Sequence, residues 1–183
     1  MKVRFDVLIY GASGFTGQLA VKYLRETYPS LKWGVAGRSA AKLRYLVDSE
    51  NQIVVADSSD EASLDAMTAS TRVLLTFAGP FALIGSGVVA SCVRSKTHYV
   101  DITGEVPWVR KMIDAYDEGA KAAKVKIVHC SGFDSIPSDI GCLHMVNALR
   151  ARQVSHAPHA PLAPHAPHAP HAHAPYDISL LPT

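Results

Sequence analysis

Three glycines spaced three apart, in the run Gly11-Ala12-Ser13-Gly14-Phe15-Thr16-Gly17, form the part of this 183-residue sequence best equipped for chemistry. They follow the apolar run Val7-Leu8-Ile9-Tyr10 and open a stretch that carries Gly17, Ala20, Val21 and Leu24 on one helical face. In that setting each glycine has a mechanical task. Gly11 allows the tight turn off a strand, Gly14 lets the backbone approach a pyrophosphate, and Gly17 lets the helix pack on the sheet without an intervening Cβ. The amides of Phe15 and Thr16, at the positive end of the helix, would then hydrogen-bond the phosphates. This chemistry is the binding of a dinucleotide.

The end of the second strand decides which dinucleotide, because NAD binders usually place a carboxylate there on the ribose hydroxyls. This chain has Ala36-Gly37-Arg38-Ser39-Ala40-Ala41-Lys42 instead. Arg38 offers a planar fork to a 2′-phosphate, Ser39 can cap the next helix and donate to that phosphate, and Lys42 adds positive charge one turn on. NADP is therefore expected in preference to NAD. Asp57 and Ser58 either bracket the adenine or begin the following helix at Ser59 or Asp60. In Phe77-Ala78-Gly79-Pro80-Phe81, Gly79 permits close backbone approach and Pro80 stiffens a loop placed to sit over the nicotinamide ribose.

Asp101, Thr103, Glu105, His129, Cys130 and Asp134 follow later strands at the same end and are the remaining candidates for acid, base or nucleophile. Residue type alone makes none of them catalytic, since geometry decides that. No catalytic and no metal-ligating residue is assigned. Asp101 and Thr103 read as turn formers, Glu105 as a first-turn charge and Cys130 as a buried thiol.

These motifs need a scaffold that brings many strand ends together. Short β-branched runs near 5–10, 33–37, 52–56, 72–77, 97–101 and 125–129 alternate with helical patterns near 14–27, 40–49, 60–69, 85–95 and 106–123. Val109, Met112, Ile113, Tyr116 and Ala120 mark the last of these helices. The rhythm predicts an α/β fold, a Rossmann-type doubly wound parallel sheet whose ligand crevice lies at the carboxyl ends of the strands. The domain would span 1–131. Residues 132–151 would form a turn, with Asp134 or Ser135 as N-cap, and a helix whose Cys142, Met145, Val146 and Leu149 call for a partner along the 138–149 face.

From 152 to 183 the sequence is rich in histidine, alanine and proline, and proline at every third position leaves polyproline II or disorder. His156, His159, His165, His168 and His171 share this register, with Leu162 in place of one member. Successive histidines stand about 9 Å apart in polyproline II, too far for one metal ion. A net charge of +2 with no basic run argues against nucleic acid. Three cysteines with no CxxC spacing fit reduced thiols. Neither a signal peptide nor an apolar run near the roughly 20 residues of a membrane span is present, so a cytoplasmic location is expected.

Taken together, the glycine loop, Ala36-Gly37-Arg38, Ala78-Gly79-Pro80-Phe81, Tyr99-Val100-Asp101-Ile102-Thr103-Gly104-Glu105 and Gly132-Phe133-Asp134-Ser135-Ile136-Pro137-Ser138-Asp139 resemble the saccharopine dehydrogenase-like oxidoreductases. The resemblance lies in the branch with the trans-acting enoyl reductases of lipid synthesis and covers about 1–150. It implies an NAD(P) site at Gly11, Ser13, Gly14, Phe15, Thr16, Gly17, Arg38, Ala78 and Gly79, a small-molecule or lipid-related substrate, and peripheral lipid association. Family members are markedly longer and form a substrate domain after the Gly-Phe-Asp-Ser motif. Hydride transfer needs a substrate held in near-attack geometry with water excluded. The sequence thus reads as the NADP-binding domain of such an oxidoreductase, truncated after it, with turnover left open. Two other readings remain: a sensing or scaffold protein that binds NADP without turnover, and a semialdehyde or acyl-phosphate dehydrogenase. The latter would need a nucleophilic Cys130, whose one visible partner is the adjacent His129.

Overall fold

The computed structural model describes residues 4–156, with side chains through Arg152. The histidine repeat from His159 onward, and the disorder expected of it, lie outside the described residues. Six strands form one parallel sheet: β1 (Phe5–Tyr10), β2 (Trp33–Gly37), β3 (Ile53–Val55), β4 (Thr71–Thr76), β5 (His98–Asp101) and β6 (Ile127–Val128). Their order across the sheet is β3-β2-β1-β4-β5-β6, the doubly wound Rossmann arrangement. Between them run α1 (Phe15–Thr27), α2 (Ala40–Arg44), α3 (Glu61–Thr68), α4 (Phe81–Ser95) and α5 (Val106–Ala123), and α6 (Ile136–His156) follows β6. The chain divides into two compact units after Leu143; the first holds the whole sheet, and of the second the final turns of α6 are described.

The alternation of side chains along β1 divides the core between the two sheet faces. Ile9 packs with Val21 of α1, Val35 and Leu43 of α2. Leu8 and Tyr10 point to the other face, into a cluster with Leu64 and Met67 of α3, Val88, Val89 and Cys92 of α4, and Trp108 and Met112 of α5. Strands covered on both sides must be apolar throughout, which is why β2 is buried at every position.

Three helix boundaries differ from the sequence-based expectation, each for a local reason. Helix α2 stops at Arg44 rather than near 49. Asp48 donates its amide to the Gln52 side chain and Ser49 caps a short 3₁₀ turn at Glu50–Gln52, so both residues serve local bonds that compete with a helix. Helix α4 begins at Phe81 instead of 85, because a carboxylate from another loop accepts its first amides. Helix α6 runs on to His156, past the expected boundary at 151. The first proline of the tail is Pro158, and the residue before a proline disfavours helix.

Candidate functional site

At the carboxyl ends of β1 and β4 lies a crevice of about 410 Å³. The glycine loop forms one side of it. Gly11 leaves β1 with φ of +78°, and a Cβ there would stand 2.7 Å from the Ala78 amide nitrogen, so the turn and the close approach of the β4 loop both demand glycine. A Cβ on Gly17 would lie 2.4 Å from the Gly11 carbonyl oxygen and 2.8 Å from Cα of Ala12, so Gly17 is what lets α1 pack beneath the loop. Gly14 is different: its Cβ would meet a single atom, the Gly11 oxygen at 3.3 Å, and otherwise points to open space on the crevice side. No side chain caps α1 and its first turn carries no acid, so the positive end of the helix is unneutralised.

Seven of the residues expected from sequence line this crevice, Gly11, Ser13, Gly14, Arg38, Ser58, Ala78 and Gly79, and Phe77 of the same β4 loop joins them. Ser13 also borders a neighbouring hollow of about 500 Å³, where Gln18 faces Lys42 and Tyr45 of α2. Phe15 is exposed and Thr16 stands in the first turn of α1. Ser39 sits at the N-cap of α2 and accepts from the Lys42 amide, leaving its O–H free to donate outward. Asp57 turns its carboxylate back into its own loop and accepts from the amide and hydroxyl of Ser59, while Asp60 caps α3. The Ser59 bonds, with a smaller contribution from the Arg38 charge, hold the Asp57 carboxyl below its ordinary value. Pro80 is the N-cap of α4, and Phe81 is buried against Trp108.

Sequence reasoning missed Tyr10, Gly37 and Ile84, which also line the crevice. Tyr10 is buried at the end of β1, and burial, then the Asp57 charge, push its phenol above the ordinary value. Its position as the last strand residue before the glycine loop was the available signal.

Beyond β4, the candidates Asp101, Thr103, Glu105, His129 and Cys130 are joined to one another by hydrogen bonds. Asp101 is fully buried; its Oδ1 accepts from the amides of Thr103 and Cys130, each at 3.1 Å, and its Oδ2 lies 2.6 Å from His129 Nδ1. The imidazole packs edgewise on Tyr99 and Trp108. Burial, then the Asp101 charge, push the Cys130 thiol above its ordinary value, the reverse of what a nucleophilic cysteine requires.

A parallel sheet in this order with an uncapped glycine-loop helix over its central crevice defines a dinucleotide-binding Rossmann domain. Residues 7–128 match the family described as the saccharopine dehydrogenase NADP binding domain; the chain belongs to that family, and its dinucleotide is NADP. Among curated proteins it is 41% identical over 150 residues to a lipid droplet localized protein of Caenorhabditis elegans, covering 75% of this chain and 35% of the relative. It is 38% identical over 147 residues to a trans-acting enoyl reductase of Mycobacterium ulcerans, covering 77% and 35%. The chain thus spans about a third of the length of these relatives. Its fold is shared with saccharopine dehydrogenase (L-Glu forming) from Saccharomyces cerevisiae, at a TM-score of 0.67 and 21% identity over 80% of this chain and 32% of that one. Triphenylmethane reductase of a Citrobacter species, solved with NADP(H), shares it at a TM-score of 0.54 and 18% identity, over 68% and 48%.

Proposed function

We propose that this chain is the cofactor-holding part of an NADPH-dependent reductase acting on a lipid-related small molecule. The amides of Phe15 and Thr16 take the pyrophosphate, Arg38 with Ser13, Ser39 and Lys42 takes the 2′-phosphate, and the Ala78-Gly79-Pro80-Phe81 loop borders the nicotinamide ribose. Asp57 acts from behind, by fixing the loop that carries Ser58. The observation that carries this reading is Arg38, which lines the crevice at the end of β2 where an NAD binder would place a carboxylate.

The names of the relatives, a lipid droplet protein and enoyl reductases, support a lipid-related substrate and a cytoplasmic protein with peripheral lipid association. No described helix is long and apolar enough to cross a membrane. Met145, Val146 and Leu149 are exposed on α6 and make the 138–149 face the place for a protein partner or a further domain.

NADPH is expected to bind more tightly than NADH, and Arg38→Ala should remove most of that preference. A charge-assisted contact contributes about 1.5–3 kcal/mol, so the ratio of dissociation constants should fall by roughly one to two orders of magnitude in calorimetric titrations. Equal affinities in the parent chain would overturn the assignment.

One observation favours a second reading, in which NADP is sensed and not turned over. Among the described residues lining the crevice, Tyr10 is the sole side chain of a type that commonly moves a proton, and its phenol is buried and pushed above its ordinary value. The reductase reading expects oxidation of NADPH, followed at its near-ultraviolet absorbance, when enoyl or carbonyl lipids are added; saturable binding without any oxidation would establish the sensor.

A further inference from the structure

The Ala78-Gly79-Pro80 stretch is held at both ends, and the Pro80 carbonyl also accepts from the Leu83 and Ile84 amides of α4. At its start the Phe77 amide donates to the Tyr10 carbonyl at 2.8 Å and the Ala78 amide to Thr76 Oγ1 at 3.2 Å. At its far end stands Glu105, from the loop between β5 and α5. One carboxylate oxygen accepts from the Phe81 amide at 2.7 Å and the other from the Ala82 amide at 2.8 Å. Those two amides belong to the first turn of α4 and have no partner within their own helix.

Glu105 is itself held in place. Its amide donates to Thr103 Oγ1 at 3.0 Å, the Thr103 amide donates to the buried Asp101, and Asp101 also binds the His129 ring and the Cys130 amide. A continuous chain of hydrogen bonds therefore joins the loops after β6, β5 and β4 and ends at the turn that borders the crevice. Each polar member of Asp101-Ile102-Thr103-Gly104-Glu105 is consumed by it. The same carboxylate neutralises the positive end of α4, so that among the two helices beside the crevice α1 alone offers an unneutralised terminus to a pyrophosphate.

We propose that Glu105 is a positioning residue for the nicotinamide half of the bound cofactor, acting through the Phe81 and Ala82 amides on the placement of Ala78 and Gly79. This rests on the reading that NADPH lies in the crevice with its nicotinamide end at β4. Glu105 touches neither the glycine loop nor Arg38, so the adenosine half is independent of it.

The test compares two ligands on the full chain by calorimetry: NADPH, and 2′,5′-ADP, which carries the 2′-phosphate and lacks the nicotinamide half. In Glu105→Gln one oxygen still accepts, while the amide group sets a donor against a donor. The NADPH Kd should rise roughly tenfold, because binding must then order Ala78 and Gly79, which the parent holds in place beforehand. The 2′,5′-ADP Kd should stay unchanged, which also reports a folded protein, and the fluorescence enhancement of bound NADPH should fall. Thr103→Val, which loosens Glu105 without touching its charge, should show the same pattern more weakly. Equal weakening of both ligands would make Glu105 a general structural residue, and no weakening of either would leave it without influence; both outcomes overturn the proposal. A parent chain that binds neither ligand would overturn the reading of the crevice itself, a failure visible before any variant is made.

Discussion

Gly14→Val should abolish NADPH binding and leave the protein folded. Gly14 has φ −75° and ψ 165°, an extended conformation that valine adopts without strain, and a Cβ there meets one atom at 3.3 Å. The two valine methyls would instead stand in the crevice that Gly14 lines, where the pyrophosphate must meet the first amides of α1. Losing two charge-assisted hydrogen bonds of about 1.5–3 kcal/mol each weakens binding by two or more orders of magnitude. Fluorescence titration with NADPH beside a thermal melt reads both halves of the expectation. Saturable enhancement in the variant would show that the loop is not the site.

The second large effect is on stability. Asp101→Ala should destabilise the protein by about 3–5 kcal/mol, because it strips a buried acceptor from two backbone amides and leaves His129 without its carboxylate. For a unit of this size that is a fall in Tm of the order of 10 °C. Asp101→Asn, which keeps one oxygen toward the two amides, should lose less. Scanning calorimetry measures the difference, and a melt of Asp101→Ala within 2 °C or so of the parent would show that the loops after β5 and β6 do not depend on this carboxylate.

Much of this architecture was legible in the sequence because its determinants are local. Six apolar runs at regular intervals gave six strands, and Gly11, Gly14 and Gly17 announced their separate tasks by spacing alone. Ser39 at an N-cap followed from its neighbours. What was illegible involves partners far apart in the chain. Glu105 reads as an ordinary first-turn acid of α5, and nothing in its surroundings reveals that it caps α4, 24 residues earlier. For the same reason α4 was expected to begin late: its own sequence, Pro80-Phe81-Ala82-Leu83, lacks a capping side chain. Tyr10 escaped notice because an aromatic residue ending a strand is usually core, and here it is both core and crevice.

The strand order also sets a timetable for folding. Val7 of β1 pairs with Trp33 of β2, 26 residues on, and with Val73 of β4, 66 residues on. Nucleation can therefore join β1 to β2 early, but the central pair must wait for a much longer loop to close, and that entropy is spent before the contact rewards it. In the interval β1 is an edge strand with Leu8 and Tyr10 uncovered, because their partners on α3, α4 and α5 come later in the chain, and such a surface is one through which partly formed chains stick to each other. Refolding from denaturant should accordingly lose yield with rising protein concentration, and a chain emerging from the ribosome is most vulnerable between the synthesis of β2 and that of β4.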